Sequence, residues 1–346
     1  MATVIIALDA MGSDRAPEPE LAGALAAAAR AEATADPLRI LLVGDRARLE
    51  PRLRGQAGAD RITVVHADPA QVVTMEDHPA QVVRRKRDSS LARAMELVRT
   101  GEAAGVVSAG NSGAVLGFAM LGLGRSPGIE RPAVMTVLPT PSGPLVLADA
   151  GANVDPRPRA LAQFGVMAAA YARVACGVAA PRLGLLSNGA EAHKGTELTR
   201  ACHALLVAAA ARAGGDLRYA GPVEGSDLFR GVVDAVATDG FTGNVVLKTC
   251  EGIAEGLFGL VRHELEQTAR ARVGAALVAP ALRRLARRID YSETGGALLA
   301  GVGGVVVLAH GRSDRSAISN AVAAAARFAA AGVPAALAAA LVSVPD

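Results

Sequence analysis

The sequence predicts an α/β fold of three layers, a mostly parallel sheet between two layers of helix. Two observations carry this. Short apolar runs alternate with longer stretches of helical periodicity along the chain. Of the 346 residues, 51% are hydrophobic and 20% charged, enough apolar surface for a sizeable core.

Taken in order, residues 4–8 open the chain as a strand and 19–33 follow as a helix. Strands are predicted at 39–43 and 62–65, a helix at 90–99, a strand at 105–108 and a helix at 113–123. Two strands come next, 133–138 and 145–148, then helix 159–176, strand 183–187, helix 196–213 and strand 235–238. The glycine-rich stretch 295–309 is rather short for a bilayer span and reads as one buried strand, 302–308, with flanking turns, before a last helix at 316–331. Between them the alternation breaks. Residues 244–290 hold two helical patterns with no strand between, a helical hairpin projecting from the body. Its second half joins an apolar stretch to Arg283, Arg284, Arg287 and Arg288, which suits a dimer interface, a membrane surface or a solvated arginine face. No internal repeat or low-complexity linker divides the chain, so residues 1–346 read as a single domain.

Composition narrows the function. Aromatic residues are 3% with no Trp, which disfavours nucleic-acid binding by base stacking. Net charge is +3, compatible with an acidic partner or anionic substrate. Cys176, Cys202 and Cys250 are odd in number and widely spaced, which points to a reducing compartment and supplies no zinc-ligand pair. No signal-peptide plan precedes the first strand, so a cytoplasmic location is expected. Lysines occur only at Lys86, Lys194 and Lys248 among many arginines, and a lysine kept in such a background is a candidate for a compact ammonium role.

Five polar, glycine-rich segments follow predicted strands, where ligands bind in open α/β sheets. They begin at Asp9 with Gly12; at Ser108, through Asn111, Ser112 and Gly113; at Asp149 with Asn153; at Ser187, through Lys194; and at Asp239, through Gly240, Thr242, Gly243 and Asn244 to Lys248. Three lead into helices, whose N-terminal amides and dipole attract anions. One such segment alone is most simply a capped turn. Five at one end of a sheet predict an anion site, with phosphate the natural ligand. Dinucleotide, metalloprotease and nucleophile-elbow motifs are missing, so no cofactor and no metal is expected.

In this order the segments resemble the phosphate acyltransferase (PlsX) family of bacterial phospholipid synthesis. So do the stretches Val83-Arg84-Arg85-Lys86-Arg87-Asp88-Ser89-Ser90, Ser126-Pro127-Gly128-Ile129-Glu130-Arg131-Pro132-Ala133 and Val223-Glu224-Gly225-Ser226-Asp227. Ser13 departs from the family's usual second glycine, and Ala190 and Ala192 from its more acidic positions. The resemblance implies an isocitrate/isopropylmalate dehydrogenase-like fold and transfer of a fatty acyl group from acyl carrier protein to inorganic phosphate. It also implies a homodimer with peripheral membrane contact, which the hairpin would supply.

Such chemistry needs positioning and oxyanion stabilisation more than a strong base, because phosphate is already anionic and a thiolate leaves readily. The expected roles follow. Lys194, Asp239 and Asn244 are catalytic candidates. Asn111, Ser112, Gly113, Gly240, Thr242 and Gly243 would bind phosphate. Asp9, Gly12, Asp149, Asn153 and Lys248 would support them. An acidic carrier protein would dock on Arg84, Arg85, Lys86 and Arg87 or on the hairpin arginines. Two other readings stay open: a phosphotransacetylase-like enzyme using acyl-coenzyme A, and a non-catalytic scaffold that docks carrier protein.

Overall fold

Period-two burial organises the strands. In β1 (Val4–Asp9), Ile6 and Leu8 enter one core and Ala7 the other; in β4 (Gly105–Ser108), Val107 and Val106 divide the same way. Both faces of these strands are therefore covered, as a parallel sheet requires. The structure, a computed structural model, describes residues 3–34, 36–289 and 295–345. The other strands are β2 (Leu38–Gly44), β3 (Ile62–His66), β5 (Ala133–Thr140), β6 (Gly143–Ala148), β7 (Arg182–Leu186), β8 (Arg218–Val223), β9 (Ala235–Ala237), β10 (Ala297–Ala300) and β11 (Val305–Leu308). They form one sheet in the order β3-β2-β1-β4-β11-β10-β5-β6-β9-β7-β8. Seven of the ten pairings are parallel, which bears out the predicted class.

The helices are α1 (Glu18–Ala33), α2 (Arg46–Leu53), α3 (Pro79–Arg85), α4 (Ser90–Arg99), α5 (Ser112–Gly122), α6 (Pro158–Val174), α7 (Glu197–Arg212), α8 (Gly240–Glu266), α9 (Ala269–Ile289), α10 (Arg315–Ala330) and α11 (Val333–Ala340). One face of the sheet carries α1, α6, α7, α10 and α11; the other carries α4 and α5, through Leu91, Met95, Val115 and Phe118. Small residues set how closely α1 and α10 approach. Ala24, Ala27, Ala28 and Ala31 lie buried toward Ala321, Ala324 and Ala325, and a Cβ on Gly23 would stand 2.5 Å from Ile318 Cβ.

Two expectations need correction. The stretch 295–309 is two strands: β10 and β11 pair antiparallel, because Gly301 at φ 89° turns the chain between them. The hairpin's first helix begins at Gly240, not 244, because Asp239 caps it by accepting from Thr242 N at 2.8 Å. That helix has 27 residues and is about 40 Å long. Of its residues only Gly240 and Gly243 are buried, so α8 and α9 stand largely clear of the body. Residue 290 and the side chains of Arg287 and Arg288 lie outside the described residues. Among the described residues no single helix is long and apolar enough to cross a membrane.

Candidate active site

The five loops do not share one rim. Antiparallel pairings β11–β10, β10–β5 and β5–β6 reverse the strand direction inside the sheet. The loops after β1 and β4 form one set; those after β6, β9 and β7, which run parallel to one another, form a second.

In the first set, Asp9 is buried and accepts from Met11 N at 3.2 Å and Ser108 Oγ at 2.7 Å. Burial raises its pKa against those donors. Gly12 has no room for a Cβ, which would stand 2.7 Å from Asp9 Oδ2 and 2.9 Å from Gly110 N. Asn111 caps α5 by accepting from Ala114 N at 3.1 Å, and its Nδ2 donates to the carbonyls of Met75 (3.1 Å) and Asp77 (3.0 Å). Its side chain is thus committed within the chain. The amides of Ser112 and Gly113 have no acceptor among the described residues, and Ser112 is exposed. Lys86 is also committed: its Nζ donates to Asp77 Oδ2 at 2.5 Å and Val72 O at 2.7 Å. It pins the 72–77 loop that Asn111 grips, and holds the Asp77 carboxyl below its usual range. Of the proposed basic cluster, Arg84, Arg85 and Arg87 are exposed.

The second set is built around Asp149, which is buried and accepts five bonds. Its Oδ1 takes the amides of Val134, Gly151 and Ala152; its Oδ2 takes Asn153 N at 2.6 Å and Asn153 Nδ2 at 2.9 Å. Burial still pushes this carboxyl up. The loop so shaped lies against the first turn of α8. Gly240 N donates to Asn153 O at 2.7 Å, and a Cβ on Gly243 would collide with Asp149 O. Both glycines are therefore required by close approach. Thr242 N and Oγ1 donate to the two carboxylate oxygens of Asp239, and Gly243 N to its carbonyl, so these groups serve the cap. Asn244 is exposed beside Gly151, and its amide has no hydrogen-bond partner among the described residues. The adjacent loop after β7 carries Lys194, exposed; Gly195 N donates to Asn188 Oδ1 at 2.9 Å and Thr196 caps α7. Lys86 pairs with Asp77 and Lys248 with Glu251, whereas Lys194 has no ion pair among the described residues.

A sixth loop, after β11, links the sets. Asp14 N donates to Gly311 O at 3.0 Å. Burial, then the charges of Lys248 and Arg312, hold the His310 imidazole below its ordinary range, while Glu251 and Asp14 act against them. His310 thus feels α8 on one side and the first loop on the other. Sequence reasoning misses it because 295–309 reads as one buried strand, 302–308, with flanking turns, and the residues after it are not counted among the strand-end segments. The signal was present: His310-Gly311-Arg312-Ser313-Asp314 follows a strand and ends in an N-cap, with Asp314 accepting from Ala317 N. Also missed was Glu20, buried beside Asp9. It accepts from Ser13 N at 3.1 Å, and its pKa is pushed by burial from 4.5 to about 7. Among the described residues no three His, Cys, Asp or Glu side chains converge as a metal cluster would.

Residues 4–336 match the model of a family described as fatty acid synthesis protein. A phosphate acyltransferase from Pelotomaculum thermopropionicum is 46% identical over 92% of this chain and 89% of its own length. One from Myxococcus xanthus is 48% identical over 96% and 92%. Among solved structures, the EutD phosphotransacetylase from Staphylococcus aureus superposes with TM-score 0.62 at 16% identity, covering 94% of each chain. A 4-hydroxythreonine-4-phosphate dehydrogenase from Klebsiella pneumoniae gives 0.51 at 15%, covering 95% of this chain and 100% of its own. At such identities these two speak for the fold alone. It is one shared by acyl-transfer enzymes and dehydrogenases.

Proposed function

The chain belongs to the phosphate acyltransferase family, and from that premise we propose that it transfers a fatty acyl group from acyl carrier protein to inorganic phosphate. The observation that carries the site assignment is the pair Lys194 and Asn244. Both are exposed, the side chains of both lack hydrogen-bond and ion-pair partners among the described residues, and their loops follow the neighbouring parallel strands β7 and β9. An ammonium and an amide so left open suit phosphate oxygens and a developing oxyanion.

In the proposed step a phosphate oxygen attacks the thioester carbonyl carbon. The carbonyl π electrons move to oxygen, and Lys194 and Asn244 stabilise the oxyanion. The C–S bond then breaks and the carrier's thiolate leaves with its electron pair. Ser112 and Gly113 would contribute amide donors from the first set of loops. Asp9, Asp149 and Asp239 act as positioning residues, each shaping a loop through the bonds described above, and Asn111 does the same for α5.

Carrier protein is acidic, and exposed Arg84, Arg85 and Arg87, or Arg283 and Arg284 on α9, would steer it. The apolar side chains left open on α8 and α9, among them Ile253, Leu257, Leu260 and Leu277, would form the homodimer contact and the peripheral membrane contact.

The test follows acyl phosphate by mass spectrometry, offering the same acyl group on carrier protein and on coenzyme A. Phosphate-dependent product from the carrier-protein thioester at the higher kcat/KM is expected. Preference for coenzyme A would move the chain to the phosphotransacetylase reading, and no product from either donor would leave only the scaffold.

A further inference from the structure

A half-open cleft of about 1090 Å³ lies between α8, the β5–β6 hairpin and the segment that joins β11 to α10. It is slightly larger than the ~300–1,000 Å³ range of small-molecule sites. Leu138, Leu247, Cys250, Ala254, Phe258 and His310 line it. Of the seven α8 residues that line it, Leu247, Cys250, Ala254 and Phe258 recur at helical spacing as an apolar stripe, alongside Ile253, Glu251 and Glu255. From Leu247 to Phe258 the stripe runs about 16 Å along the axis at 1.5 Å per residue. A fatty chain spans half of a ~30 Å bilayer core, or about 15 Å. The polar residues of the cleft include His310, close to Lys248 and Asp14, and Leu247 stands only two turns from the cap at Asp239.

We propose that this cleft holds the acyl chain of the thioester, laid along α8 with its carbonyl end toward Asn244 and His310. This rests on the acyl-transfer reading and adds to it the place that reads chain length. Helix α8 then has two uses. Its first turn helps form the anion site, and its next three turns solvate the hydrocarbon. Each methylene buried there contributes about fourfold to the specificity constant.

The test compares hexanoyl, dodecanoyl and hexadecanoyl thioesters of carrier protein in the wild type, Ala254→Trp and Phe258→Ala. Filling the cleft with Ala254→Trp should lower the hexadecanoyl-to-hexanoyl ratio of kcat/KM by roughly 50-fold, about three methylenes of lost burial. Opening it with Phe258→Ala should shift the preferred chain upward. Palmitate should also protect Cys250 of the wild type from N-ethylmaleimide, a readout that needs no turnover. Unmoved ratios in both variants overturn the proposal, as does a change of sedimentation in Ala254→Trp with its ratio kept, which would make the cleft a contact between copies. A wild type that makes no acyl phosphate yet shows palmitate protection would refute the transfer reading while leaving a fatty-chain site.

Discussion

At the scale of single residues, an exposed ammonium with no carboxylate partner is available to an incoming anion, and Lys194 is in that state. Removing one preorganised stabiliser of a transition-state charge costs about 10²–10³ in rate. Lys194→Met should therefore lower kcat for acyl phosphate formation by about that factor with an unchanged circular dichroism spectrum. Turnover within a fewfold of wild type would remove the lysine from the chemistry. Glu20 supports a second prediction. Its folded pKa lies above its ordinary value, so the folded state binds the proton more tightly than the unfolded chain. Stability is greatest below pH ~4.5 and falls as pH rises toward about 7, where the buried charge costs of the order of 3 kcal/mol. Burial raises Asp9 in the same direction. Glu20→Gln keeps an acceptor for Ser13 N and cannot ionise. Its melting temperature should exceed wild type by a few degrees at pH 8, and the gap should narrow by pH 5. Residue roles were only half legible in the sequence. Asp149, Asp239 and Asn111 stand out in the sequence as polar residues of strand-end segments, but an aspartate or asparagine that caps a helix and one that meets a ligand obey the same local grammar. Only the bonds of the folded chain separate Asn111, committed on both sides, from Asn244, left open.

Among the elements, the hairpin carries the clearest external consequence. Leu277 is 79% exposed on α9, two residues beyond Ala275 and six before Arg283. Apolar side chains beside arginines on one helix suit an anionic lipid surface. Wild-type protein should float with vesicles containing phosphatidylglycerol, and Leu277→Glu should cut the floated fraction several-fold. Equal flotation would take this part of α9 out of the contact. Elements missed from sequence share a cause: weak patterning. Helix α2 is short, highly charged and contains Pro51, and it depends on Asp45, which accepts from Ala47 N. Strand β8 is the sheet edge, with Gly221 and Pro222 in its run and a mostly open face. Helix α11 follows Gly332 at φ 62° so closely after α10 that the two read as one apolar tail.

For the molecule as a whole, alternation of strand and helix sufficed for the α/β class, since burial on both faces leaves continuous apolar runs that periodicity detects. Strand direction was harder to read. Parallel neighbours need a crossover, whereas β5 and β6 are joined by Pro141 and Ser142 alone, a connection short enough only for antiparallel strands. Reading that spacing would have predicted one reversal, and with it two rims in place of one. The order of strands has a further result for biosynthesis. Strands β10 and β11, from the last fifth of the chain, are wedged between β5 and β4 near the middle of the sheet. A ribosome-bound chain that has not yet reached Gly295 carries β4 and β5 with bare backbone edges, open to pairing with other chains. A truncated product ending before that glycine should collect in inclusion bodies, while co-expression of residues 295–346 as a separate peptide should return part of it to the supernatant. The cell must therefore shield most of this polypeptide until its final segment arrives to be threaded into place.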